Sequence, residues 1–249
     1  MFRTLTLISL SVLAIIVVLP WLILWSLLTG SQDLMYNASM GWVRIVLKLI
    51  GVRVRMEGLE NIPAGTCIFA ANHVSNIDPL AFVPNIPRRV SVALKKELFR
   101  MPILSYGMKL SKFIVVDRVS RQAAAESLRQ SVQYLNEGLS FAIYPEGTRS
   151  PDGRLLPFKR GAFLMAVQTG VPIVPVSIAG ALRLMRKGES AIHPGEVVVR
   201  FQPPVDTSSY SAATLRDLVA RVHAEVAAGL PPDQRPLEEN SQTAAPASA

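Results

Sequence analysis

The chain has 249 residues, 50% of them hydrophobic, with a formal net charge of +8 and one cysteine. This length fits one α/β domain, alone or with an anchor, and the lone Cys67 excludes an internal disulfide, which suits a reducing, cytoplasm-facing compartment. Between Arg88 and Arg160 there are 14 Lys/Arg against 6 Asp/Glu, an excess equal to that of the whole chain. Such a basic third suits phosphate groups or an anionic membrane surface. Nucleic acid is the competing partner, but no nucleic-acid-binding motif accompanies the charge.

In chain order, Thr4 through Gln32 contains no charged residue, a run of 29. As a helix it reaches roughly 43 Å at about 1.5 Å per residue, enough for a hydrocarbon core of about 30 Å. The run is longer than the apolar core of a signal peptide, so a retained anchor is expected. Its length favours a helix that spans, and Pro20 leaves a re-entrant or interfacial helix as the other form. Met40 to Ile50 places Arg44 and Lys48 on one helical face with apolar residues opposite. This reads as an interfacial helix, with an ordinary core-packing helix as the alternative. Arg44, Lys48, Arg53 and Arg55 follow the anchor, and by the positive-inside rule they put the following domain in the cytoplasm, at the inner membrane if the cell is bacterial.

From residue 51 the pattern changes. Strands are expected near 52–57, 67–71, 90–94, 113–117, 140–144, 173–178 and 197–201. The clearest helix has Ser120 as N-cap, an apolar stripe of Ala124, Leu128, Val132 and Leu135, and Gly138 beyond its end. Further helices are expected over 160–169 and 212–228. Strands alternating with helices predict an α/β domain over 51–230, a mostly parallel sheet of about seven strands flanked by helices, behind an anchor and interfacial helix over 1–50. Residues 231–249 are rich in Pro, Ala, Ser and Glu, and read as a disordered tail.

Within that domain the apolar run 66–71 feeds into Asn72-His73-Val74-Ser75-Asn76-Ile77-Asp78-Pro79. A histidine where a strand's carboxyl end opens into a turn occupies the usual place of an α/β active site. On a regular helix His73 and Asp78 would face apart, so they meet only if the backbone turns, and Asn76 and Pro79 supply turn chemistry. Ser75 lacks a nucleophile elbow and reads as a turn serine. His193 and His223 lie in unrelated segments, so no metal site is assigned. Cys67, inside the strand, reads as packing material.

Three further stretches accompany the histidine: Lys112-Phe113-Ile114-Val115-Val116-Asp117-Arg118, Phe141 through Tyr144-Pro145-Glu146-Gly147-Thr148-Arg149-Ser150, and Val171-Pro172-Ile173-Val174-Pro175-Val176. With the His73 turn these resemble the four ordered blocks of the glycerolipid acyltransferase family, most nearly the 1-acylglycerol-3-phosphate O-acyltransferases. The resemblance covers about 61–179, with further similarity in Leu94-Lys95-Lys96-Glu97-Leu98. Tyr144 departs from it mildly, standing where phenylalanine is usual.

The resemblance implies transfer of an acyl chain from acyl-CoA or acyl-carrier protein to the free hydroxyl of a lysophospholipid, without a bound cofactor. Lysophosphatidic acid is the expected acceptor, and a lyso-ornithine lipid or a remodelled lysophospholipid is the alternative. An alcohol needs a base to take its proton, and an unperturbed histidine, titrating near ~6.5, serves at neutral pH. His73 is the expected base and Asp78 its orienting partner. Arg118 and Arg149 are the expected phosphate ligands, with Glu146, Gly147 and Thr148 completing the acceptor site. Lys95, Lys96, Lys159 and Arg160 are weaker candidates for donor phosphates or head groups. Backbone amides after His73 or around Val171-Pro172 are the candidates for an oxyanion hole.

Overall fold

A computed structural model describes residues 2–116, 121–186, 188–189 and 191–237. Seven strands, β1 (Val52–Glu57), β2 (Ile68–Ala71), β3 (Val90–Lys95), β4 (Ile114–Val116), β5 (Ser140–Ile143), β6 (Ile173–Ala179) and β7 (Gly195–Phe201), form one sheet in the order β1-β7-β6-β2-β5-β3-β4. The five from β6 to β4 run parallel, while β7 is antiparallel to β6 and β1 follows β7. The mostly parallel sheet expected from the sequence is present, with an edge pair reversed. Side-chain chemistry explains the positions. Every residue of β2 and β5 is buried, as two covered faces require. At the edge, β1 alternates valines with Arg53 and Arg55.

One face of the sheet is covered by α3 (Asp33–Ile50), α4 (Ile77–Phe82) and α8 (Ala181–Leu184), around a core that includes Phe69, Phe82 and Phe201. The other carries α6 (Arg121–Asn136), α7 (Gly161–Thr169) and α9 (Leu215–Gly229), around Phe141, Phe163 and Leu218. Helix α9 buries Leu215, Leu218, Val222 and Val226, the spacing of one helical stripe. Helix α6 matches its predicted stripe, since Leu135 is buried and Leu128 and Val132 pack beside it; its expected cap, Ser120, lies outside the described residues.

The apolar run forms α1 (Phe2–Val17) and α2 (Leu19–Thr29), whose helical bonding continues through Val18. Pro20 has no N–H to offer the preceding turn, which accounts for the break there. Ser9–Thr29 is 21 residues with a mean hydropathy of 2.5, sufficient by length and composition to cross a bilayer. This helix lies against the domain on one side. Trp42 Nε1 of α3 donates to Ser11 Oγ at 3.2 Å, and Leu19 rests on α5 (Pro102–Leu110). Helix α3 begins earlier than the sequence suggested and serves two neighbours. Leu47 enters the core, while Ile45 and Leu49 remain exposed.

Residues 231–237, expected to belong to a disordered tail, are held to the domain. Leu155 N donates to Gln234 O at 2.9 Å, Gln234 is buried, and a short turn spans Pro232–Gln234. Backbone pairing holds this segment despite its disorder-like composition; 238–249 lie outside the described residues.

Candidate active site

His73 follows the carboxyl end of β2, the sheet's central strand, and the segment 144–150 leaves the same end of its neighbour β5. Parallel pairing of adjacent strands therefore brings two of the four sequence blocks together. Asn72, fully buried, ties in a third strand: its Nδ2 donates to Ile178 O at 2.9 Å and its Oδ1 accepts from Ile178 N at 2.7 Å. A buried amide satisfied on both sides fixes the strand end from which the histidine emerges.

The turn then does what the spacing required. Asp78 sits in the first turn of α4 with its Oδ2 2.8 Å from His73 Nδ1. The same oxygen accepts the Val74 and Ser75 amides at 2.6 and 2.7 Å. An oxygen accepting two backbone N–H groups draws a third donor, so Nδ1 carries the ring proton and Nε2 keeps its lone pair. Those amides are thereby occupied, which removes them as oxyanion donors. The amides around Val171-Pro172 fail for another reason: they lie where β6 begins, at the sheet end opposite His73. Ser75 is the turn serine the sequence suggested, its Oγ donating to Met185 O at 2.7 Å and accepting from Ile77 N.

Three contacts from the segment after β5 hold His73 itself. Glu146 Oε1 accepts the His73 amide at 2.7 Å, Ser150 N donates to the His73 carbonyl at 2.8 Å, and the Tyr144 ring stacks on the imidazole at 4.3 Å between centroids. Glu146, expected among the acceptor's contacts, is only 2% exposed and grips the histidine backbone instead. Burial, aided slightly by the Asp78 charge, pushes its carboxyl up to about 8, against the pull of the His73 and Leu156 amides. Burial likewise raises the Tyr144 phenol, with Asp78 contributing. Asp78 Oδ1, Tyr144 Oη and Glu146 Oε2 are all buried without a protein partner. Desolvated polar atoms gathered at one turn mark a place where the fold gives up stability.

Beside His73 opens a groove of about 810 Å³. Its floor is apolar, with Val92, Leu94, Ile114, Leu128, Ile143 and Met165, and its rim carries Arg149, Gly147 and Lys159. Gly147 turns with φ +71°, a conformation that favours glycine, and the end of the Lys159 side chain lies close over it. Thr148 is exposed and off the groove wall. Arg118 lies outside the described residues, as does Asp117. Lys96 and Arg160 are exposed on the surface.

The remaining histidines stay apart from this site. His193 is exposed, and His223 packs edge-on to Phe158 with Nε2–H donating to Leu156 O at 3.2 Å. Burial lowers the His223 pKa, with the Leu156 bond opposing. Cys67 is buried inside β2's approach, and burial raises its thiol.

A polar, buried, hydrogen-bonded histidine turn facing an apolar groove with a cationic rim can be compared with known proteins. The profile of the acyltransferase family matches residues 53–179. The chain belongs to that family. It is 32% identical over 200 residues to a 1-acyl-sn-glycerol-3-phosphate acyltransferase of Limnanthes douglasii, covering 80% of this chain and 71% of the relative. A bacterial relative of the same description, from Pseudomonas aeruginosa, is 30% identical over 190 residues, covering 74% of this chain and 73% of its own. The crystal structure of the 1-acyl-sn-glycerophosphate acyltransferase PlsC from Thermotoga maritima superposes with a TM-score of 0.75 at 29% identity, over 89% of this chain and 91% of that one. An acyltransferase with a 21-residue apolar helix beside its catalytic domain is a membrane-associated enzyme.

Asn72, Ser150 and the contacts of Tyr144 and Glu146 with His73 were missed in the sequence. Asn72 had one available signal, a lone amide closing a fully apolar strand. The other contacts join residues 71 or more apart in the chain and have no local signature.

Proposed function

We propose that this acyltransferase moves an acyl chain from a thioester to the free sn-2 hydroxyl of lysophosphatidic acid, giving phosphatidic acid, with His73 as general base. The observation that carries the reading is the division of the imidazole: Nδ1 bound to Asp78 at 2.8 Å and Nε2 left for the groove. In the proposed step Nε2 takes the hydroxyl proton as the oxygen attacks the thioester carbonyl. The tetrahedral intermediate collapses with cleavage of the C–S bond, and the thiolate leaves with the proton returned from Nε2. Asp78 holds the tautomer and stabilises the imidazolium between these transfers. The substrate supplies the nucleophile, so no acyl-enzyme forms.

Arg149 at the rim supplies planar paired donors for the acceptor's phosphate, the role the sequence resemblance also implies for Arg118, and the apolar floor suits an acyl chain. The relatives' printed descriptions support lysophosphatidic acid as acceptor. Acyl-CoA and acyl-carrier protein are both compatible with the basic rim, since one is phosphorylated and the other acidic. Arg44, Lys48, Arg53 and Arg55 after the apolar helix support, by the positive-inside rule, a catalytic domain on the cytoplasmic side. The test is an assay of purified enzyme with both donors against a panel of lysolipids. Acylation of lysophosphatidic acid is expected, and acylation of a lyso-ornithine lipid or another lysophospholipid in its place would overturn the acceptor assignment.

A further inference from the structure

Helix α5 carries large apolar residues on its outer face as well as its inner one. It buries Ser105, Gly107 and Met108, and exposes Met101 immediately before it, Ile103 at 37% and Tyr106 at 43%. A solvated helix of this size turns its large apolar residues inward. The small residues have a partner: a Cβ on Gly107 would stand 3.4 Å from Leu19 Cδ1, so α2 approaches there because nothing larger intervenes. The outer surfaces of Met101, Ile103 and Tyr106 are left open.

We propose that the outer face of α5 and the turn before it form a second membrane-docking surface, seated in the interfacial layer of an anionic bilayer. Continuity supports this occupant. Through the Leu19–Gly107 contact the patch borders α2, whose Trp21 and Leu28 are 70% and 76% exposed on the apolar helix already assigned to the membrane. At its other end Leu98, 46% exposed, is also part of the groove wall beside His73. A lipid lying along this face thus has an apolar path from the leaflet to the base. Charge agrees with the same occupant: Lys96, Arg100 and Lys109 are exposed around the patch, against one exposed acid, Glu97.

The proposal rests on membrane association and not on the identity of the lysolipid, so its test needs no substrate. The native Cys67 is fully buried and stays unlabelled in the folded protein, so single cysteines can carry an environment-sensitive dye. Full-length Ile103→Cys, labelled and bound to phosphatidylcholine/phosphatidylglycerol vesicles, should show a blue shift and quenching by shallow nitroxide lipids. Leu59→Cys is the control: Leu59 is 45% exposed but follows β1, at the sheet end opposite His73, and its dye should report water. As a functional readout, Ile103→Glu/Tyr106→Glu should raise the apparent KM for a vesicle-borne acceptor about tenfold or more, while a monomeric short-chain acceptor is used as before. A dye at 103 that stays solvated on bound vesicles overturns the proposal. So does a dye already shielded without lipid, which would assign the face to a second copy of the chain. Failure to acylate lysophosphatidic acid with quenching intact would sink the functional reading alone.

Discussion

The inner and outer halves of the site are built differently. His73 is held at its amide by Glu146, at its carbonyl by Ser150, at Nδ1 by Asp78 and across its ring by Tyr144. The rim residues Arg149 and Lys159 sit at the groove's edge, and Arg149 forms no ion pair with any described residue. The imidazole is held on four sides by the fold, whereas Arg149 is left unpaired, as the proposed anion site requires. Chemistry and recognition should therefore respond differently to mutation.

Breaking the inner half should be costliest. His73→Ala should leave a folded protein and lower kcat by on the order of 10²–10⁴, the usual worth of a positioned base. Asp78→Asn should come next, because an amide can leave the ring in the wrong tautomer. Melting curves together with kcat decide both: substantial activity in His73→Ala would remove the base from the scheme. At the rim, Arg149→Glu should raise the acceptor's KM roughly ten- to a hundredfold and change the donor's much less, given about 1.5–3 kcal/mol for a charged hydrogen bond. A donor-selective effect would place the phosphate elsewhere.

The same division decides what was readable in the sequence. The turn from Asn72 to Pro79 was legible because its logic is local: the contacts of Asp78 reach back only three to five residues. The sheet was legible because strands buried on both faces are continuously apolar, as Ile68–Ala71 is. The role of Glu146 was not, because it depends on β5 lying beside β2, a pairing no local pattern encodes. A carboxylate next to an arginine in a loop reads as a ligand, and only the folded structure shows that it holds the backbone of His73. The reversed edge pair was hidden for the same reason. The connection from β6 to β7 holds just the four-residue α8, and the direction in which a strand returns is a matter of tertiary packing.

Glu146 also gives the inner half a pH signature. Its folded pKa of about 8 lies above the ordinary value of 4.5, so the native state holds a proton that the unfolded chain releases. Stability from this group is complete below about pH 4.5 and is lost as pH rises toward 8, at up to about 1.4 kcal/mol per unit. Urea unfolding at several pH values in that window should show the wild type losing ground relative to Glu146→Gln, which cannot ionise. Parallel stability curves for the two proteins would mean that Glu146 is charged in the folded state.

The smallest effect is expected where the inner half carries an atom it does not use. Tyr144 stacks on His73 through its ring, and its buried hydroxyl has no protein partner. Tyr144→Phe keeps the ring and removes the desolvated oxygen, so stability should hold or rise by up to about 1 kcal/mol. Activity should stay within about threefold, since stacking needs only the ring. Tyr144→Ala should do far worse on both counts, by opening a cavity against Phe82 and freeing the imidazole plane. If Tyr144→Phe instead lost most of its activity while keeping its stability, the hydroxyl would belong to the chemistry, and the line between fixed base and adaptable rim would have to be drawn around it as well.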